Sequence, residues 1–278
     1  MKPFHEPAAR NAWTRTAVKL FLFFGLVTFP ACSLLPGSNA MPPATATALQ
    51  EKVVLRATQM GQNLRQTEAA EDALAKATAQ ARSDLIETGR SWPARISDSF
   101  DNNDLNWQVG EESGDLTDIR WEISGGQYRW QATAKDSFVY WINPDMDPVA
   151  NFHAAVDVKF EGDPESAEAG LAFRIQDEDH YYIFDISPDG WYSCYNLDVD
   201  TWEALIPWTQ SFEVYSSQPN RIDVYGTGSH FIFSINGTYV AEVEDSRVSS
   251  GAVGVVAGLS NVGDTGSFRF DNFTVQSP

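Results

Sequence analysis

Arg174 and Asp185 sit in strand-like runs, Leu171-Ala172-Phe173-Arg174-Ile175 and Tyr181-Tyr182-Ile183-Phe184-Asp185-Ile186. Strict alternation puts Leu171, Phe173 and Ile175 on one face and Ala172 and Arg174 on the other. The same rule turns Asp185 away from Phe184 and Ile186. Both charges are therefore expected on one outward surface. Trp191, Tyr195, Trp202 and Trp208 follow on the next strands and connections. Sugars present flat C–H faces edged by hydroxyls, and rings for stacking beside charged or amide groups for directional hydrogen bonds are what holds them. A plainer reading of the same residues stays open: Arg174 with Asp185 as a cross-strand ion pair, and the tryptophans as core. Covalent chemistry has less support. His5, His153, His180 and His230 are scattered singly, and no G-x-S-x-G elbow, H-E-x-x-H pair or Walker loop is present. The acidic runs Glu165-Ser166-Ala167-Glu168 and Asp177-Glu178-Asp179 fall between strands, where a solvated loop face is expected.

The elements that must position these groups follow from periodicity. From Ile96 onward the apolar pattern has period two, and Gly, Asn, Asp and Pro punctuate the chain every eight to twelve residues, an all-β signature. Asp189-Gly190 and Asn236-Gly237 each lie between strand-like runs and supply the positive φ of tight hairpin turns. Roughly a dozen strands over 95–278 suit two packed sheets of jelly-roll type. Residues 47–94 differ: alanine, glutamine, glutamate, arginine and leucine predominate, with only Gly61 before the closing Gly89 and Pro93. They predict a helical stalk of about 60 Å. Leu49, Val53, Met60, Ala70, Leu74, Ala77 and Ala81 form a seven-residue seam broken by Arg56, Asn63 and Thr67. Oligomerisation as a coiled coil and a solitary spacer both remain open.

Upstream, residues 33–46 have a tether composition, and residues 1–32 read as an address. Lys2, Arg10, Arg15 and Lys19 precede the apolar run Leu20 to Phe29, which is short for a bilayer span of roughly 20 residues. Phe29-Pro30-Ala31-Cys32-Ser33 resembles a bacterial lipobox, which implies a lipid-anchored Cys32, although Phe29 and Pro30 depart from the usual residues. An uncleaved anchor running on through Leu34 and Leu35 is the alternative. Either way the rest of the chain is expected outside the cytoplasm, tethered to the membrane. The other cysteine, Cys194, reads as a buried filler.

The 278 residues are 43% hydrophobic and carry a net charge of −19. Positions 95–278 hold 9 basic and 31 acidic side chains, a net −22. Such a field repels phosphate backbones, so nucleic acid is not an expected partner.

Several segments together resemble concanavalin A-like lectin/glucanase (laminin G-like) domains. They are Gly125-Gly126-Gln127-Tyr128, Phe152-His153-Ala154-Ala155-Val156-Asp157-Val158, Ala169-Gly170-Leu171-Ala172-Phe173-Arg174, Asp189-Gly190-Trp191-Tyr192, Gly251-Ala252-Val253-Gly254-Val255 and Phe270-Asp271-Asn272-Phe273. The resemblance covers about 95–278 and implies a two-sheet sandwich. Its members include lectins, glycosidases and modules without an assigned ligand. Glycosidases of this kind carry an E-x-D-x-x-E strand, which is absent here. The resemblance also implies that first and last strands pair, which would bring Asp98 and Asp101, with Asp104, near Asp271 as oxygen ligands for a structural Ca²⁺. The expected function is non-catalytic glycan recognition by a membrane-tethered domain. A module that meets a surface protein, and a hydrolase with two opposed carboxyls, are the alternatives.

Overall fold

The computed structural model describes residues 43–162 and 164–278. The signal segment, Cys32 and residues 33–42 of the expected tether lie outside the described residues. Helix α1 spans Pro43–Ser91, beginning four residues before the expected start. Proline is well suited to a first helical turn, and the alanines behind it extend the helix. Pro93 disfavours helical geometry in the residue before it, and the helix stops at Ser91. Val53, Val54, Leu55, Met60, Leu64 and Leu74 are exposed along it. Among the described residues no helix is long and apolar enough to cross a membrane.

Fifteen strands follow. The first eight are β1 (Ala94–Asp98), β2 (Gly110–Ser113), β3 (Thr117–Ile123), β4 (Tyr128–Ala134), β5 (Phe138–Ile142), β6 (Phe152–Phe160), β7 (Ala167–Ile175) and β8 (His180–Ile186). The rest are β9 (Trp191–Asp198), β10 (Thr201–Gln210), β11 (Asn220–Thr227), β12 (His230–Ile235), β13 (Thr238–Glu244), β14 (Ala252–Leu259) and β15 (Thr265–Gln276). All the pairings are antiparallel. One sheet has the order β13-β12-β11-β6-β15-β4-β3-β2, with β1 also on β15; the other is β10-β9-β8-β7-β14-β5. The first and last strands do pair, Asp98 opposite Phe273. Asn236 and Gly237, at φ 53° and 81°, form the tight turn between β12 and β13.

The inward faces of the two sheets make one core. Trp107 meets Phe100, Tyr128 and Phe273, while Trp130 packs on Trp121 and Phe270. Phe173 stacks on Tyr182 and Phe184 on Phe233. Three of the nine tryptophans are thus fully consumed by the core, Trp107, Trp121 and Trp130.

Residues 82–278 form one compact unit, and helical residues 43–81 belong to another. Within the larger unit, the last turns of α1 pack on the larger sheet. Arg82 donates twice to Glu242, at 3.0 and 2.7 Å, and lies 3.7 Å over the Tyr239 ring. Gly89 fits where a methyl group would come within 2.9 Å of the Tyr225 ring. Gln276 donates to the carbonyls of Arg90 and Trp92 and offers its own carbonyl to His153, whose other nitrogen meets Asp223 at 2.7 Å. His153 is thus built into a polar clamp at the helix end.

Candidate functional site

The outward face of the six-stranded sheet carries its own cluster. Val139, Ala172, Ile175, Tyr181, Ile183, Tyr195, Leu197 and Val256 belong to it, with Trp141, Trp202 and Ala252 packed alongside. Alternation explains most of this: Tyr181 and Ile183 are the odd residues of β8, whose even ones, Tyr182, Phe184 and Ile186, enter the core.

Arg174 breaks the alternation. Phe173 pairs with Val253 and Ile175 with Ala252, so Arg174 is an extra residue in β7, held at φ 51°. Such a bulge resets the parity of everything after it. Ile175 consequently joins the outer cluster, and Arg174 turns to the core side, 1% exposed, with its guanidinium 4.5 Å over Phe231. It donates to the carbonyls of Val248 at 2.7 Å and Ala150 at 3.0 Å, and also to that of Gly228. Burial pushes this guanidinium below its ordinary range, and Tyr182 and Asp245 counteract that. The expected outward Arg174 is therefore corrected: its charge is spent holding three loop carbonyls together.

Asp185 lies on the outer face as alternation requires, opposite Gly170, but is 1% exposed and accepts a hydrogen bond from Ser193. The side chain of Glu168 lies against Gly258 on β14, 2.7 Å from where a methyl group would be. These two buried carboxyls thus lean toward opposite neighbours, β9 and β14. Glu168 belongs to β7 and not to a loop, unlike the expectation for its run.

Tyr195 and Trp202 meet on this face, Trp202 packing edge-on against Tyr181 at 5.8 Å and against Tyr195 at 6.4 Å. Trp191 lies opposite Gln210 at the far end of that ladder, and Trp208 falls in a register irregularity of β10. The expected aromatic set is therefore split, and the half near Tyr181 joins a ring absent from it, Trp141.

Trp141 and Tyr181 stand on β5 and β8, with β14 and β7 between them. Three strand spacings would separate them by about 14 Å, yet their ring centroids are 5.7 Å apart at 67°. The rings therefore lean toward each other, and between them β14 and β7 present Val256, which pairs with Trp141, and the small residues Gly254, Gly170 and Ala172. A methyl group on Gly170 would lie 2.1 Å from the Phe184 carbonyl oxygen, and one on Gly254 2.2 Å from that of Ile142. Only glycine fits at either place, which leaves the floor low.

Beside these rings opens a cleft of about 370 Å³ lined by Asn106, Gln108, Tyr140, Trp141, Asn143, Glu178 and Tyr181, with Val139 and Ile142 beneath. Asn106 holds φ 54° in the approach to β2, and Glu178 comes from the β7–β8 turn. Burial raises the Tyr140 phenol above its ordinary range, and Glu112 and Glu178 add to the rise. Burial also raises that of Tyr181, with Asp179, Glu168 and Glu178 adding. The cleft thus combines the half-buried Trp141 ring, backed by a Tyr181 that is only 2% exposed, with three side-chain amides and a carboxylate.

Of the expected metal ligands, Asp98 accepts from the Phe100 amide and the Trp107 indole, and Asp101 accepts from Ser99. Asp271 accepts from the Asn272 amide, and its carboxyl is raised by burial and by Asp157 and Asp101. Among the described residues no three His, Cys, Asp or Glu side chains converge as a metal-ligand set. Asp98 serves here to fix the first turn and a core tryptophan.

No family model and no curated protein matches the sequence. Solved structures do match. A protein from work on endo-acting O-glycanases of human gut bacteria that initiate mucin breakdown aligns with TM-score 0.51 at 8% identity, covering 66% of this chain and 99% of that one. A carbohydrate-binding module of Bacillus subtilis aligns with TM-score 0.46 at 18% identity over 61% of this chain and 96% of its own. A galectin-like protein of unknown function, also from Bacillus subtilis, gives 0.48 at 11% identity, covering 66% of this chain and 96% of that one. The likeness is one of fold: residues 94–278 are an antiparallel two-sheet β-sandwich.

Proposed function

We propose that the sandwich is a glycan-binding module whose site is the Trp141–Tyr181 cleft. The observation that carries this reading is the half-buried Trp141 ring on an outward sheet face, backed by the buried Tyr181, beside the amides of Asn106, Gln108 and Asn143 and the Glu178 carboxylate. The indole stacks on the apolar face of a pyranose while amides and carboxylate take its hydroxyls. A fold shared with a protein from O-glycanase work is in keeping with it. The domain acts at a membrane surface, lipid-anchored through Cys32 and set off by α1. The exposed apolar residues of α1 favour a second role for the chain, self-association or contact with a surface protein through the helix. The test is a glycan array with the full chain and its Trp141→Ala variant. At least a tenfold loss of binding in the variant is expected, and equal binding by both would refute the site. Mass spectrometry of the mature amino terminus tests the anchor, which an intact Met1 would refute.

A further inference from the structure

The glycan reading leaves the charge of the ligand open, and the surroundings of the cleft bear on it. None of its lining residues is basic, and one, Glu178, is acidic. The negative charge extends beyond the lining. Glu112 and Glu178 act on Tyr140, and Asp179, Glu168 and Glu178 act on Tyr181. The basic side chains closest by sequence on the same sheet are committed elsewhere: Arg174 to loop carbonyls and His180 to Asp177. An anionic sugar such as a uronate or a sulfated residue would enter against this field, with no cation in the lining to meet it. A neutral sugar would leave the field unused.

The rings themselves favour positive charge. The face of an aromatic ring is its negative pole, and a cation within about 6 Å of the centroid is attracted to it, most strongly over tryptophan. Trp141 is half-buried and lines the cleft, backed edge-on at 5.7 Å and 67° by the buried Tyr181, and Glu178 lines the same cleft. An indole face beside a carboxylate is a pairing that suits an ammonium group.

From this juxtaposition we infer that the ligand of the cleft is a cationic glycan, an aminosugar polymer with free ammonium groups, recognised by Trp141 with Glu178 as counter-charge. This rests on the glycan reading and narrows it. Asn106, Gln108 and Asn143 then take the neutral hydroxyls and set orientation, while the ammonium group decides which polymer binds.

The test is isothermal titration of the full chain at pH 6 and moderate salt with a glucosamine hexamer, its fully N-acetylated counterpart and an uncharged glucose hexamer. A hexalysine peptide serves as the control for general attraction to an acidic chain. The expected result is a preference of about tenfold or more for the free-amine hexamer over the N-acetylated one. Glu178→Gln should erase the preference while leaving binding of the neutral hexamer, and Trp141→Ala should abolish binding of all three sugars. Near-ultraviolet circular dichroism confirms that both variants fold. Equal affinity for free-amine and N-acetylated hexamers, or a preference that survives Glu178→Gln, overturns the charge inference and leaves the glycan site standing. A preference matched by hexalysine and untouched by Trp141→Ala also overturns it, since the overall acidity of the chain would then explain it. Binding of no sugar at all, with the variants indistinguishable from the parent, overturns both readings together.

Discussion

Arg174→Met is the sharpest perturbation of the sandwich, because it separates a structural arginine from a ligand-binding one. The substitution keeps an unbranched stem of similar reach over Phe231 and deletes only the guanidinium. Three carbonyls, from Ala150, Val248 and Gly228, lose a charged donor. Hydrogen bonds to charged groups contribute about 1.5–3 kcal/mol each, offset in part because the buried charge no longer has to be desolvated. A net loss of about 3–5 kcal/mol follows, the range seen when a buried ionic network loses one member. For a sandwich of this size that is a fall in Tm of roughly 10 °C. Chemical denaturation followed by the fluorescence of the buried tryptophans should show a lower midpoint with an unchanged slope. Arg174→Lys should lie between, since a single ammonium cannot reproduce the planar fork that reaches three acceptors. Glycan affinity per folded molecule should not change in either variant. A methionine variant within about 1 kcal/mol of the parent, or one that loses ligand binding while keeping its stability, would refute the reasoning.

Other outcomes follow from the same coordinates. Cys194 is fully enclosed and burial drives its thiol well above the usual range, so in a Cys32→Ser background a thiol reagent should label it only as fast as the protein unfolds; rapid labelling of the native state would contradict the packing. Burial raises the Asp245 carboxyl, but hydrogen bonds from Arg247 and Tyr182 outweigh this and hold it below its ordinary value. A depressed carboxyl stabilises the fold above its unfolded-state titration and loses that contribution as pH falls through its folded value. Asp245→Asn should therefore flatten the acid limb of a stability–pH profile, and an unaltered limb would count against the assignment. His153→Leu removes the 2.7 Å contacts to Asp223 and Gln276 beneath the end of α1, leaving Asp223 only the Tyr225 hydroxyl, and should cost about 3 kcal/mol, with faster hydrogen exchange in residues 82–91; unchanged exchange there would show that the clamp does not hold the helix.

The two-sheet sandwich, its alternating strands and the Asn236-Gly237 turn were legible in the sequence because each is written in neighbouring residues. The long helix was legible for the same reason, and its extra turn came from alanines assigned to a tether by composition. The site was legible only in part. Tyr195 and Trp202 reach the outer face as parity dictates, whereas the parity rule failed at Arg174 because one bulged residue, visible only in the register of β7 against β14, inverted it. Trp141, Glu178, Asn106 and Gln108 carry no local signature. They come from an edge strand, a hairpin turn and an irregular approach segment, and only the assembled sheet brings them around one cleft. The core tryptophans were indistinguishable from surface ones by type.

The placement of β15 has a consequence for how the protein comes into being. This strand, the last of the fifteen in chain order, lies in the middle of the larger sheet, bonded to β6, β4 and β1. Until residue 276 has emerged, the partners on either side of it expose unpaired edges and the sheet stays split in two. Loop-closure entropy makes such distant pairings slow even when the chain is complete. The growing polypeptide therefore has no finished larger sheet to lock in before β15 arrives, and loss of that strand would leave both halves open to aggregation.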